Sequence, residues 1–148
     1  MKSKRKRYCT RDFMVAWLLC IVLITGCATG YHSSGVTGGY QDTKIQDGMY
    51  RISFQGNAAA SEQRSADFAM LRASEVALRD GFPYFVILEG KTSSSSRIYS
   101  VEPTGAVGTV SEPSSNMVIQ CYKEKPSDGR VVYDAVQVKE NIKRQYSL

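Results

Sequence analysis

The chain contains a single histidine, His32, and four cysteines, three of which (Cys9, Cys20 and Cys27) fall in its first 27 residues. One histidine and one remaining thiol, Cys121, leave little from which to build Ser–His or Cys–His chemistry. They also exclude an internal disulfide framework once the N-terminal segment is removed. The patterns G-x-S-x-G, H-E-x-x-H and C-x-x-C and a phosphate-binding glycine loop are all missing. Internal repeats are absent too. The longest apolar run is twelve residues, Phe13 to Ile24, short of the roughly 18 needed to cross a bilayer as a helix. These absences argue against an enzyme, and no catalytic residue, metal ligand set or cofactor is expected.

An excess of one charge is also lacking over most of the chain. The formal net charge is +5, from 19 Lys and Arg against 14 Asp and Glu. Six of those basic residues (Lys2, Lys4, Arg5, Lys6, Arg7 and Arg11) and one acid (Asp12) lie within residues 1–26. The rest of the chain therefore carries 13 of each sign. The basic balance belongs to the N-terminus, so no nucleic-acid partner is expected.

That N-terminus is informative in itself. A basic stretch precedes the twelve apolar residues, and the run stops at Ile24-Thr25-Gly26-Cys27. Basic, then apolar, then small residues is the order of an export signal. Leu23 with Ile24-Thr25-Gly26-Cys27 resembles the lipobox of bacterial lipoproteins. The resemblance implies cleavage before Cys27, a diacylglyceryl group on the Cys27 sulfur, and a membrane-lipid partner through that group. The competing reading is an uncleaved anchor with an incidental cysteine. One acyl chain contributes about 0.8 kcal/mol per buried methylene and holds a protein only marginally, whereas two or three make attachment effectively permanent. Ala28 follows the cysteine. By resemblance to sorting in enteric bacteria, where aspartate there is associated with inner-membrane retention, it implies the outer membrane, facing the periplasm.

Cleavage leaves 122 of the 148 residues, enough for one domain with a modest core. Residues 27–48 hold Gly30, Gly35, Gly38, Gly39 and Gly48 with few apolar side chains, and read as a flexible tether. His32 sits in it without neighbouring ligands. The domain is then expected over 49–142, with 143–148 a tail. Met49 to Gln55 alternates, with Tyr50, Ile52 and Phe54 on one face, as in a half-buried strand. From about Ala60 to Asp80 the period becomes helical. Ala66, Ala69, Met70, Leu71, Ala73, Val76, Ala77 and Leu78 cover a wide arc, and Arg64, Arg72, Glu75 and Arg79 share the opposite one. Ser61 or Asn57 caps the start, and Gly81 with Pro83 ends the helix. Phe68 falls in the charged arc and is expected to lie along the Arg64 and Arg72 stems.

Tyr84 to Leu88 is continuously apolar, the pattern of a central strand. Ser93 to Ser96 read as ordinary low complexity rather than a nucleophile. A strand resumes at Arg97 to Val101, and residues 102–115, with Pro103, Gly105, Gly108 and Pro113, read as a long loop. Asn116 to Lys125 is a further strand, in which Cys121 is expected as a small buried core residue rather than an exposed thiol. Val131 to Tyr133 favours strand. Ala135, Val138 and Ile142 then fall at helical spacing, and Asp134 with Gln137 makes a capping-box pattern. The fold class is α+β, a long helix packed on a small, mostly antiparallel sheet.

Phe54-Gln55-Gly56-Asn57, then Ser61, Arg64, Asp67-Phe68, Leu71-Arg72-Ala73, Glu75 and Gly81, resembles the F-x-G-N … D-[FY]-x-x-L-R-A-x-E core of a family of short, functionally uncharacterised Gram-negative lipoproteins. Tyr84 to Ile87 matches its aromatic-rich strand, and Tyr133-Asp134-Ala135 with Val138 and Asn141 its C-terminal end. Residues 40–90 match well, 130–142 loosely, and 93–116 not at all. The resemblance implies the fold and the anchor, and it supplies no catalytic residues.

The reading that follows is a non-catalytic, membrane-anchored envelope lipoprotein that binds an envelope protein or peptidoglycan. The alternative is a small-ligand-binding or stress-sensing module, with a pocket between the helix and the 93–116 segment. Asn57, Arg64, Asp67, Arg72 and Glu75 are the one candidate interaction surface. A merely solvated helix face is the plainer account of them.

Overall fold

The computed structural model of the chain describes residues 30–101, 104 and 106–148. Cys27 and the segment expected to be an export signal lie outside them. Five strands form a single antiparallel sheet: β1 (Gly39–Gln46), β2 (Met49–Gln55), β3 (Tyr84–Val101), β4 (Ala106–Tyr122) and β5 (Tyr133–Asp134), in the spatial order β1-β2-β4-β3-β5. Two helices are described, α1 (Glu62–Arg79) and α2 (Ala135–Tyr146). The α+β class holds, with the long helix on one sheet face.

Tyr50, Ile52 and Phe54 of β2 are buried, as their alternation requires. They meet Phe85 of β3, Met117, Ile119 and Cys121 of β4, and Phe68, Leu71, Ala73, Val76 and Ala77 of α1 in one core. Each large side chain buried there stabilises the fold by about 1.5–3 kcal/mol.

Ser61 caps α1, its hydroxyl accepting from the Arg64 amide at 3.1 Å. At the far end the Phe82 amide donates to Ala77 at 2.8 Å and the Gly81 amide to Leu78 at 3.1 Å, with Gly81 at φ +81°. This paired closure needs a left-handed residue, hence glycine. Asp134 caps α2 through the Gln137 amide at 3.0 Å, so the chain runs from a two-residue strand into a helix, as its pattern suggested.

Three expectations are corrected. The tether assigned to residues 27–48 contains β1, paired with β2 from Gly39↔Gln55 to Gln46↔Met49 through a two-residue Asp47-Gly48 turn. Its composition is poor in apolar residues because its helix-facing positions are Tyr40 and a paired Asp42. The loop assigned to 102–115 is for the most part strand. β3 and β4 remain in register from Ser93↔Ser114 to Val101↔Ala106, forming a long hairpin. Pro113 is tolerated because its carbonyl accepts from Gly56 at 2.8 Å, on the side away from β3. The donor it lacks would point the same way, where β2 has ended. Finally, the tail assigned to 143–148 carries α2 on to Tyr146, whose ring packs on Phe68.

Candidate interaction surface on the central helix

The five polar residues singled out in the sequence do not form one surface. The structure divides them among three places.

Arg72 and Glu75 belong to a network linking α1 to β1 and to the segment before it. Arg72 donates from Nε to Asp42 Oδ1 at 2.8 Å and from Nη1 to Glu75 Oε2 at 3.2 Å, and its Nη2 lies 2.7 Å from Asp42 Oδ1 in the same ion pair. Its guanidinium lies 4.2 Å from the centroid of the Tyr40 ring, a cation–π arrangement. The Tyr31 hydroxyl bonds to Glu75, and Arg79 reaches Asp42 Oδ2 at 3.4 Å. The Arg72 and Asp42 side chains are only 19% and 18% exposed, so the solvated-face reading of Arg72 is overturned. Burial acts to lower the Arg72 pKa, but the bond and charge of Asp42 outweigh it and hold the guanidinium charged. Burial and then the Glu75 bond push the Tyr31 hydroxyl well above the ordinary phenol value.

Arg64 and Asp67, two turns and one turn earlier, face α2. Asp67 accepts from the Tyr146 hydroxyl at 2.7 Å, from Gln145 Nε2 at 3.2 Å and from Gln63 Nε2 at 2.8 Å. Arg64 lies 5.2 Å from the Tyr146 ring centroid. Asn57 stands apart in the turn before α1, where its side-chain oxygen accepts from the Ala59 amide at 3.1 Å.

Phe68 lies between the two clusters. It is 2% exposed, edge-on to Phe54, Tyr31 and Tyr146 with centroids 5.2, 5.6 and 4.9 Å away. It is therefore a core ring and not a surface one. α1 is covered on two sides, by the sheet and by Tyr31 with α2, so the polar arc is narrower than its spacing suggests.

Sequence reasoning missed Asp42, Tyr31, Tyr40 and Tyr146, which complete these clusters. The alternation Tyr40-x-Asp42-x-Lys44 ahead of Asp47-Gly48 was the available signal, since Asp-Gly between two extended runs marks a hairpin. Asp80 is a further addition. Arg79 and then the Tyr50 hydroxyl hold its carboxyl below the ordinary carboxylate value.

What these groups do chemically is fasten segments together. Each charged side chain in the two clusters is engaged by residues of the same chain. Cys121 is buried, its thiol pushed up to about 12 by burial and then by Asp80, so it stays protonated. His32 is exposed, with Nδ1 2.7 Å from the Ser33 carbonyl. Among the described residues no three His, Cys, Asp or Glu side chains are grouped to hold a metal, and no helix is long and apolar enough to cross a membrane.

The 93–116 segment is a hairpin and not a loop; a cavity of about 290 Å³ lies between Gln55–Asn57 before α1, Ser34–Gly38, and Arg97 with Glu112 of that hairpin. A groove of about 470 Å³ lies along β3, between Val86–Leu88 and Arg130, Val131 and Tyr133. No family model, curated protein or solved structure matches this chain.

Proposed function

We propose that this chain is a lipid-anchored envelope lipoprotein that acts by binding, through protein or cell-wall contacts, and not by catalysis. The observation that carries the reading is the N-terminal order of basic residues, twelve apolar residues and Ile24-Thr25-Gly26-Cys27. The motif shared with the family of short Gram-negative lipoproteins supports it. So does the way the conspicuous polar residues of α1 are used up in internal fastening, which leaves extended surfaces rather than a reactive centre. Those surfaces are the polar open face of the sheet, with Arg51, Ser53, Gln55 and Asn116, and the long β3–β4 hairpin. They suit a macromolecular partner better than a small ligand held in a concave pocket.

The distance between anchor and fold refines the picture. Tyr31 packs on Phe68 and Tyr40, four residues beyond Cys27. Four extended residues span at most about 14 Å. On this reading the domain hangs close to the bilayer surface, without a long tether. With Ala28 after the lipidated cysteine, the proposed location is the periplasmic side of the outer membrane.

Processing of the full chain tests the anchor. Globomycin should cause the precursor to accumulate, and Cys27→Ala should leave it unlipidated. A Cys27→Ala protein that is cleaved normally and still partitions wholly into detergent would exclude lipidation. Density-gradient fractionation that finds the protein in inner-membrane vesicles would exclude the outer-membrane location.

A further inference from the structure

We propose that the free edge of β3 pairs with the same edge of a second copy of this chain, antiparallel about a two-fold axis at Ser93. The inference is independent of the lipid anchor.

β5 pairs only with Tyr84 and Phe85. From Val86 to Val101 no strand among the described residues covers that side of β3, while β4 covers the other. Beyond Ser114 β4 also loses β2, so the distal hairpin is a ribbon of two strands. Such ribbons are marginal in water by themselves, and a long uncovered edge is a ready template for another strand. The ribbon also exposes Ile98 at 77% and Val107 at 72%.

The sequence of the edge says which occupant fits. When an edge meets its own copy antiparallel about residue n, position i faces position 2n − i, and directly opposite side chains share a face. With the axis at Ser93, Glu89 faces Arg97 of the second copy, twice over by symmetry. Lys91 faces Ser95, Thr92 faces Ser94, and Leu88 comes beside Ile98. Glu89 is exposed, and Leu88 is 44% exposed. Glu89 and Arg97 lie on the same open face of the sheet, opposite Val118 and Val110 of β4. Moving the axis to Ser94 would set Lys91 against Arg97, and moving it to Thr92 would leave both Glu89 and Lys91 facing serine. An axis at Gly90 would oppose Glu89 and Lys91 but set Leu88 against Thr92, so the Ser93 register is the one that opposes unlike charges and also gathers the exposed apolar residues.

The other edge of the ribbon, Ala106–Glu112, is a poorer candidate. It is shorter, has no basic residue to face Glu112, and is closed by Pro113 with no amide to donate. Arg97 already lies 3.3 Å from Glu112 within one copy, but with its side chain 75% exposed it is free to serve both carboxylates.

The test uses two differently tagged full-length copies, co-expressed and co-purified in mild detergent. Wild-type copies should recover one another. Glu89→Arg in both copies, or Arg97→Glu in both, should cut recovery about tenfold, because each sets like charges opposite one another twice. A Glu89→Arg copy mixed with an Arg97→Glu copy should recover association, because both cross-copy contacts are then of unlike charge. Independently, oxidation of Ser93→Cys should crosslink copies well above the wild-type background, and Ser95→Cys should not, since it faces Lys91. Wild-type copies that do not associate, a Glu89→Arg pair that associates as well as wild type, or equal crosslinking at 93 and 95 would each overturn the proposal. The thiol experiment stands even if Arg97→Glu disturbs the ribbon, because it changes no charge.

Discussion

β4 is one strand of 17 residues, yet its two halves hold their shape by different means. In the half nearer Tyr122, the helix-facing residues Cys121, Ile119, Met117 and Ser115 are all enclosed, at 3%, 0%, 6% and 2% exposure. In the distal half the same face carries Ser111, Thr109 and Val107 in the open. The register with β3 slips once, between Ile87 and Glu89, and from Glu89↔Val118 it runs unbroken through to Val101↔Ala106, so antiparallel pairing is common to both halves. The difference is the layer above. The proximal half lies under α1 and packs its enclosed side chains against the aromatic and branched residues of the core. The distal half has its rungs, a few serine contacts such as Ser94 with Ser111, and an exposed ion pair of Arg97 with Glu112, which contributes about 0–1 kcal/mol. Strand geometry is shared between the halves, but stability is supplied locally by what covers each.

The sharpest way to break this comparison is to truncate one large apolar residue beside each half, Phe68 on α1 and Ile98 on β3, and follow urea unfolding of residues 30–148. Phe68→Ala should cost about 3–5 kcal/mol, because four rings meet at that position. Ile98→Ala should cost under about 0.5 kcal/mol, as a change to an uncovered surface. Equal losses would mean that the ribbon is covered after all, and a loss at Ile98 that grows with protein concentration would point to the second copy.

Next comes the polar fastening of the covered half. Arg72→Ala strands the half-buried carboxylate of Asp42 and should cost about 2–3 kcal/mol. Arg72→Lys should recover only part of that, because an ammonium cannot reproduce the fork or lie flat on Tyr40. A loss below about 0.5 kcal/mol, the norm for surface positions, would return Arg72 to the solvated face. Ala73→Leu probes the same half from the side of space. Ala73 is fully enclosed, and the added methylenes should cost about 1–3 kcal/mol through overpacking.

The smallest effect expected is one of pH. Tyr31 and Tyr50 have folded-state pKa values raised above the ordinary 10.0, by burial first and then by Glu75 and Asp80 respectively. Above about pH 10 the unfolded chain releases these protons while the folded chain keeps them, so stability is full below that pH and falls as pH rises beyond it. Tyr31→Phe should flatten part of that alkaline slope in urea midpoints measured from pH 8 to 11. An unchanged slope would mean that the Tyr31 hydroxyl is not held as described.

The elements legible in the sequence are those with a buried face. Met49–Gln55 alternates, Tyr84–Leu88 is solidly apolar, and the stretch around Ala69, Ala73 and Ala77 has a clear helical period. Asp134 announces the start of α2. The elements that were not legible lack such a face. β1 presents Asp42 inward, and an aspartate can face a core only because Arg72, 30 positions away, answers it; no local pattern contains that partner. The ribbon is written largely in serine, glycine and threonine, and its strands are set by each other rather than by a core, so composition made residues 102–115 a loop although Arg97 to Val101 read as strand. The surface residues split the same way. Arg64, Arg72 and Glu75 were found from their shared arc and Asp67 from the motif, but their task depended on Tyr31, Tyr40, Asp42 and Tyr146, which lie elsewhere in the chain. Phe68 was misplaced because helical spacing shows one covered face, and α1 has two.

Phe68 also touches rings from near both ends of the described fold, Tyr31 and Tyr146. In polymer terms the described fold, from Tyr31 to Tyr146, is almost a closed ring, with a gap that a short peptide would bridge. Joining Tyr31 to Tyr146 through a few flexible residues and opening the chain instead between Val101 and Ala106 would give a circular permutant. Such a permutant keeps every contact of the covered half, and the break falls where no third layer is disturbed. The same closeness means that a label placed beside Tyr146 would report on the neighbourhood of Tyr31, whereas a label on Ser100 would report on the uncovered ribbon.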